Sequence, residues 1–141
     1  MKKLIILSIV FFGFLILGCN NHRDFRYYCS DNVNLIFQPP SSFMPHLCYD
    51  DRGSMDILIM NHGKTEIFGL NFYIEGELEN KTMNVPILLN VRDADLLSLN
   101  FQLSNLGEIN YMEVKPIINY EDEKQECEYY RIKIRSIQRC Y

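Results

Sequence analysis

Five cysteines carry most of the reactive chemistry legible in this 141-residue chain: Cys19, Cys29, Cys48, Cys127 and Cys140. A thiolate can bind zinc, attack a carbonyl, take up an alkyl group or oxidise to a disulfide. Four-thiolate zinc sites are built from close pairs such as C-x-x-C, and the spacings here are long and irregular. No metal ligand is therefore assigned. A nucleophilic cysteine needs a neighbouring base, and His46, two residues before Cys48, is the nearest candidate. That role requires the thiol to stay free, so the compartment decides between nucleophile and disulfide.

The first nineteen residues set the compartment. Lys2 and Lys3 form a positive start, and Leu4 to Leu17 is apolar apart from Ser8 and Gly13. This run has the length of a signal-peptide core and falls short of the about 20 apolar residues of a spanning helix. It ends in Ile16-Leu17-Gly18-Cys19, followed by the polar Asn20-Asn21-His22-Arg23-Asp24. The stretch from Ile16 to Cys19 resembles the lipobox of prokaryotic lipoproteins. The resemblance implies that Cys19 is alkylated with diacylglycerol and that the chain is cut before it, the small Gly18 giving the peptidase access. Each buried methylene of an acyl chain such as palmitate adds about 0.8 kcal/mol, and two chains hold stably where one is marginal. An ordinary cleaved secretion signal or an uncleaved anchor are the alternatives, in which Cys19 is one more apolar leader residue. The expected address is lipid-anchored to the cell membrane or outer membrane, facing out of the cytoplasm; in a Gram-negative cell Asn20, which is not the aspartate associated with inner-membrane retention, points to the outer membrane.

In an exported chain disulfides persist. Setting Cys19 aside leaves Cys29, Cys48, Cys127 and Cys140, an even set whose pairing the spacing does not choose. With those thiols oxidised, no cysteine nucleophile is expected. Loss of Lys2 and Lys3 takes Lys+Arg from 14 to 12 against 18 Asp+Glu, a formal charge of 12 − 18 = −6. Such a chain lacks the basic footprint of a nucleic-acid binder.

Other residues with chemical potential read as structural. His62-Gly63-Lys64-Thr65 matches the tail of a phosphate loop, but Leu58 stands where that motif needs its first glycine, and a strand rather than a helix follows. His22, His46 and His62 show no metal-binding spacing. Asp50 with Asp51, Asp93 with Asp95, and the run Glu121 to Glu126 read as solvated turns and loops rather than calcium ligands. No G-x-S-x-G or H-E-x-x-H occurs, so no catalytic residue and no cofactor are expected. Asn80-Lys81-Thr82 is a glycosylation sequon in an expected exposed turn. Tyr27, Tyr28, Tyr111, Tyr120, Tyr129 and Tyr141 are candidates for a contact surface, because tyrosine joins apolar area to a polar tip.

These residues must be positioned by strands. Val33–Phe37, Met55–Asn61, Glu66–Gly76, Met83–Asn90, Leu96–Leu103, Ile109–Ile118 and Glu128–Ile137 are short apolar or alternating runs separated by turn signals. Met55–Asn61 is nearly continuous in apolar character, as for a strand covered on both faces. In Glu66–Gly76, Phe68, Leu70, Phe72 and Ile74 are expected on one face. Pro86 points to a sheet edge. In the last run Tyr130, Ile132 and Ile134 are expected inward. Outside the leader no sustained helical period is seen. About seven strands at this spacing are the pattern of an antiparallel sandwich, with a small barrel as the alternative.

The run from Cys48 to Glu77 resembles the immunoglobulin-like β-sandwich domains of archaeal and bacterial surface proteins, a group that includes cell-adhesion-related domains. The matching phrases are Ile59 to Gly63 (a strand ending in N-x-G) and Ile67 to Ile74, with Leu106 to Ile118 resembling the penultimate strand. The resemblance implies an all-β, immunoglobulin-like antiparallel β-sandwich of about seven strands, and the apolar leader is expected to precede it as an N-terminal signal helix. It implies pairing of Cys48 with Cys127, which leaves Cys29 with Cys140. The expected organisation is residues 1–18 as the lipoprotein signal peptide, 19–47 as lipidated tether and N-terminal extension, and 48–141 as the sandwich domain. The implied function is a membrane-anchored, non-catalytic binding, adhesion or assembly module with a protein or glycan partner. The alternative is a periplasmic or secreted inhibitor, or an accessory subunit of a surface machine.

Overall fold

The computed structural model describes residues 24–41, 46–135 and 137–140. The expected signal helix, Cys19, His22 and Tyr141 lie outside the described residues. The chain folds as an antiparallel all-β sandwich. Its strands are β1 (Leu35–Gln38), β2 (Cys48–Tyr49), β3 (Ser54–Asn61), β4 (Ile67–Gly76), β5 (Asn80–Leu89), β6 (Ala94–Asn100), β7 (Ile109–Tyr120), β8 (Glu123–Glu126), β9 (Ile132–Arg135) and β10 (Gln138–Arg139). A helix, α1, covers residues 24–32, and a single turn, α2, covers Leu103–Leu106.

The smaller sheet has the order β1-β3-β6. The larger runs β5-β4-β7, and β8 and β9 share the far edge of β7: β8 pairs with Ile117–Tyr120 and β9 with Tyr111–Val114. The two short strands β2 and β10 pair in parallel. Between the sheets Met55, Ile57 and Ile59 of β3 and Leu99 of β6 join Leu70, Phe72 and Ile74 of β4 and Met112, Val114 and Ile118 of β7 in one core. Each such side chain contributes about 1.5–3 kcal/mol on full burial.

All seven expected strand runs contain a strand, and Pro86 does lie on an edge strand, β5, where its missing donor costs no ladder bond. Several expectations are corrected. A bulge between Ile67 and Gly69 re-phases β4, so Ile67 is buried and Phe68 turns to the outer face, beneath the Lys124 ammonium. The run Met55–Asn61 is not covered on both sides; Leu58 and Met60 remain half-buried on the outside of the three-stranded sheet. The run Glu121–Glu126 is a hairpin, not a loop. Glu121 and Asp122 both adopt positive φ, 51° and 65°, and fold β8 back along β7. The last strand is confined to Ile132–Arg135, because the chain turns at Glu128 and Tyr129. Tyr130, Ile132 and Ile134 do pack against the core, half-buried.

The sandwich also starts earlier than residue 48. β1 pairs with β3, and α1 is anchored by Cys29 and Val33, both buried. The helix went unread because its inward residues, Phe25, Tyr28, Cys29 and Asn32, are mixed aromatic and polar, whereas helical period is read from apolar recurrence.

Candidate functional site

The cysteines set the frame. Cys29 bonds Cys127, and Cys48 bonds Cys140. This overturns the pairing implied by the resemblance, Cys48 with Cys127 and Cys29 with Cys140. The reason is topological. Cys48 opens β2, whose partner strand β10 delivers Cys140 alongside, with the Cys140 N–H donating to Tyr49 O at 2.9 Å. Cys127 lies at the break between β8 and β9 on the edge of β7. There Pro116 offers no N–H but its carbonyl accepts from Cys127 at 2.9 Å, and α1 docks through Cys29.

That junction assembles a groove. α1 supplies Arg26, Tyr27 and Ser30, and the turn after Cys127 supplies Tyr129 and Tyr130, around an open volume of about 710 Å³. The Arg26 guanidinium lies over the Tyr129 ring, 4.5 Å from its centroid. Tyr27 and Tyr129 are 66% and 56% exposed, a large apolar area left to solvent. The groove floor is fixed: Tyr130 OH accepts the Leu35 N–H at 3.1 Å, tying the turn to β1. A second pocket of about 250 Å³ adjoins it, lined by Phe25, Arg26, Cys29, Gln125, Glu126, Glu128 and Tyr129. Of the other candidate tyrosines, Tyr28 and Tyr120 meet with their rings tilted, centroids 4.9 Å apart, and Phe25 meets Tyr120 in the same tilted way at 5.0 Å. Those rings hold the helix down. Tyr111 is half-buried on the outer face of the large sheet.

Beside the groove, Glu126 folds over that outer face. Its carboxylate accepts from Tyr73 OH at 3.1 Å and from Asn71 Nδ2, and it pairs with Lys115 at 3.4 Å. Asn84 donates to Asn71 Oδ1, and the Lys115 ammonium sits 4.3 Å from the Tyr73 ring centroid. Burial first, and then the hydrogen bond to Glu126, hold the Tyr73 hydroxyl above its ordinary pKa. Glu113, in the next row, is buried beneath Arg131 and Lys133, at 3.8 and 4.0 Å. The network satisfies its own members, so it stiffens the sheet that backs the groove.

The remaining candidates are accounted for locally. In the His62–Thr65 turn, the N–H groups of His62, Gly63 and Lys64 donate to Asn34 O, Asn61 Oδ1 and Asn32 O, which leaves none of the three for a phosphate. Gly63 is required there: an added Cβ would stand 2.3 Å from Asn32 O. The N-x-G phrase is thus a packing device. Asn61, fully buried, also donates to Thr65 O and Leu89 O and so joins the two sheets. Asp50 accepts from the N–H groups of Arg52 and Ser54 within its own turn, and Asp93 accepts from Asn90. Among the described residues no three His, Cys, Asp or Glu side chains gather as a metal site. Asn80 is exposed, at the first position of β5. Among the described residues no helix is long and apolar enough to cross a membrane.

Fold and frame define a class: an all-β sandwich held by two disulfides, suited to an oxidising, extracytoplasmic space. No protein-family model matches the chain, and no curated protein is detectably similar to it.

Proposed function

We propose that the chain is a lipid-anchored extracytoplasmic lipoprotein whose sandwich is a non-catalytic binding or assembly module. The observation that carries this reading is the use of the cysteines. The two bridges take Cys29, Cys48, Cys127 and Cys140, so Cys19, directly behind the apolar leader, is the one thiol belonging to neither. Replacing it with serine tests the anchor. Cys19→Ser is expected to lose acyl labelling and to leave the membrane fraction; retention in that fraction with no change in labelling contradicts the anchor.

The binding half of the proposal rests on the groove of Arg26, Tyr27, Tyr129 and Tyr130. Tyrosine and arginine are the residue types that dominate protein–protein hot spots, and here two widely exposed tyrosines are set on a disulfide-stiffened base. The partner is accordingly a protein. The double variant Tyr27→Ala/Tyr129→Ala is expected to fold with unchanged melting and to lose a stoichiometric partner recovered from solubilised membranes by wild type. Equal recovery by both contradicts the assignment of the groove.

A further inference from the structure

The outer face of the large sheet treats its polar side chains in two ways. Toward β8, Asn71, Asn84, Lys115 and Glu126 satisfy one another around the Tyr73 hydroxyl. Toward the β4–β5 hairpin, Asn80 lies opposite Glu75 and Thr82 opposite Tyr73, and Glu75 in turn lies opposite Tyr111. Among the described residues the side chains of Glu75, Asn80, Thr82 and Tyr111 have no hydrogen-bond or ion-pair partner. With Tyr73 they border a shallow hollow of about 190 Å³.

Asn80 is also the first residue of the sequon Asn80-Lys81-Thr82. The fold presents that sequon to solvent. Asn80 and Thr82 are both exposed and, two residues apart on a strand, point to the same face. Lys81 turns the other way, where its ammonium donates to Phe101 O at 3.4 Å. Asn80 opens the edge strand β5, directly after the exposed residues Glu77, Leu78 and Glu79. A hairpin end opens at lower cost than the core strands do, so this asparagine is within reach of a modifying enzyme.

We infer that Asn80 is an N-glycosylation site and that the first sugar of its glycan seats in the hollow between Tyr73 and Tyr111. The co-reactant is an oligosaccharide carried on a lipid diphosphate outside the cytoplasm. Asn80 Nδ2 attacks its anomeric carbon. A C–N bond forms, the C–O bond to the diphosphate breaks, the lipid diphosphate leaves, and the amide gives up one proton to solvent. Two observations select this occupant. The sequon fixes the point of attachment, and the hollow begins at that residue. At about 190 Å³ the hollow is smaller than the about 300 Å³ at which sites for drug-sized molecules begin, which suits one ring rather than a peptide segment. Its groups suit a sugar as well. Tyr111, and the part of Tyr73 that Lys115 does not cover, offer apolar ring area to the C–H faces. Glu75, Thr82 and the Tyr111 hydroxyl are placed to meet sugar hydroxyls. The reaction needs an exported chain, the setting to which the two bridges belong. It does not need the lipid on Cys19.

The full chain, purified from its own host, tests both halves of the inference. Peptide mapping is expected to find added sugar mass on the peptide that holds Asn80, and an amidase that removes N-linked glycans is expected to leave aspartate at that position. Asn80→Gln and Thr82→Ala should each lose the added mass, whereas Thr82→Ser, which keeps the sequon, should retain it. For the seat, release of the glycan should shift the ring NMR signals of Tyr73 and Tyr111 and leave those of Tyr28 and Tyr120 in place. Native protein with Asn80 unmodified overturns the site. Tyr73 and Tyr111 signals that do not move on release overturn the seat.

Discussion

The two bridges close stretches of similar length, 98 and 92 residues, in different surroundings. Loop closure alone would make each worth about 4–5 kcal/mol on the chain-entropy account. Cys29 and Cys127 are 2% and 1% exposed and bind helix α1 to the break in the large sheet. Cys48 is half-buried and Cys140 exposed, and their bridge fastens the two-residue strand β10 against β2. The first is part of the core and of the base beneath the tyrosine–arginine groove. The second is a clasp on the rim. Equal covalent links therefore serve unequal purposes, and the local packing rather than the loop length separates them.

The largest effect is expected from breaking the inner link. Cys29→Ala/Cys127→Ala should lose about 5 kcal/mol or more, the loop term plus a cavity where two sulfurs packed. Chemical denaturation reads this loss directly. Cys48→Ala/Cys140→Ala should cost no more than the loop term of about 4–5 kcal/mol, with no cavity added, and leave the groove intact; a loss as large as the inner pair's would erase the distinction drawn here. The same contrast should appear kinetically. Thiol exchange needs access to sulfur, so mild reductant should open Cys48–Cys140 first, with alkylation and peptide mapping as the readout. Prior labelling at Cys29 or Cys127 would contradict the burial argument.

The smallest expected effect lies in the network beside the inner link. Tyr73 is held above its ordinary pKa of 10.0 by burial and by Glu126. A raised folded pKa means that the stabilisation is fully present below the unfolded value and is lost as pH climbs through the folded one. Glu126→Gln should move the Tyr73 titration down toward 10.0, followed by NMR of ring-labelled tyrosine, and should narrow the alkaline stability difference from wild type. An unmoved titration would mean that burial alone sets the shift.

Much of this architecture was legible in alternation. Leu70, Phe72, Ile74, Met112, Val114 and Ile118 follow period two, and the sandwich follows from them. What alternation could not carry was local backbone geometry. The bulge at Ile67–Gly69 moved Phe68 to the other face, and the positive φ of Glu121 and Asp122, in a run of charges without Asn-Gly, hid the β8 hairpin. Pairing of the cysteines depends on which strands lie side by side, a long-range property that spacing does not encode. The groove was half visible: Tyr27 and Tyr129 stood out as candidate contacts, but nothing local joins positions so far apart in the chain. Arg26 gains its meaning only from the ring it covers, and Glu126, taken for a solvated acid, from the Asn71, Tyr73 and Lys115 it gathers.

The central claim is that this disulfide-held sandwich is displayed from a lipid on Cys19. Intact-mass analysis of the native protein extracted from membranes tests it most directly. The account predicts a chain that begins at Cys19, carries a diacylglyceryl thioether and retains two bridges. A chain beginning elsewhere, with Cys19 unmodified or removed, would contradict it.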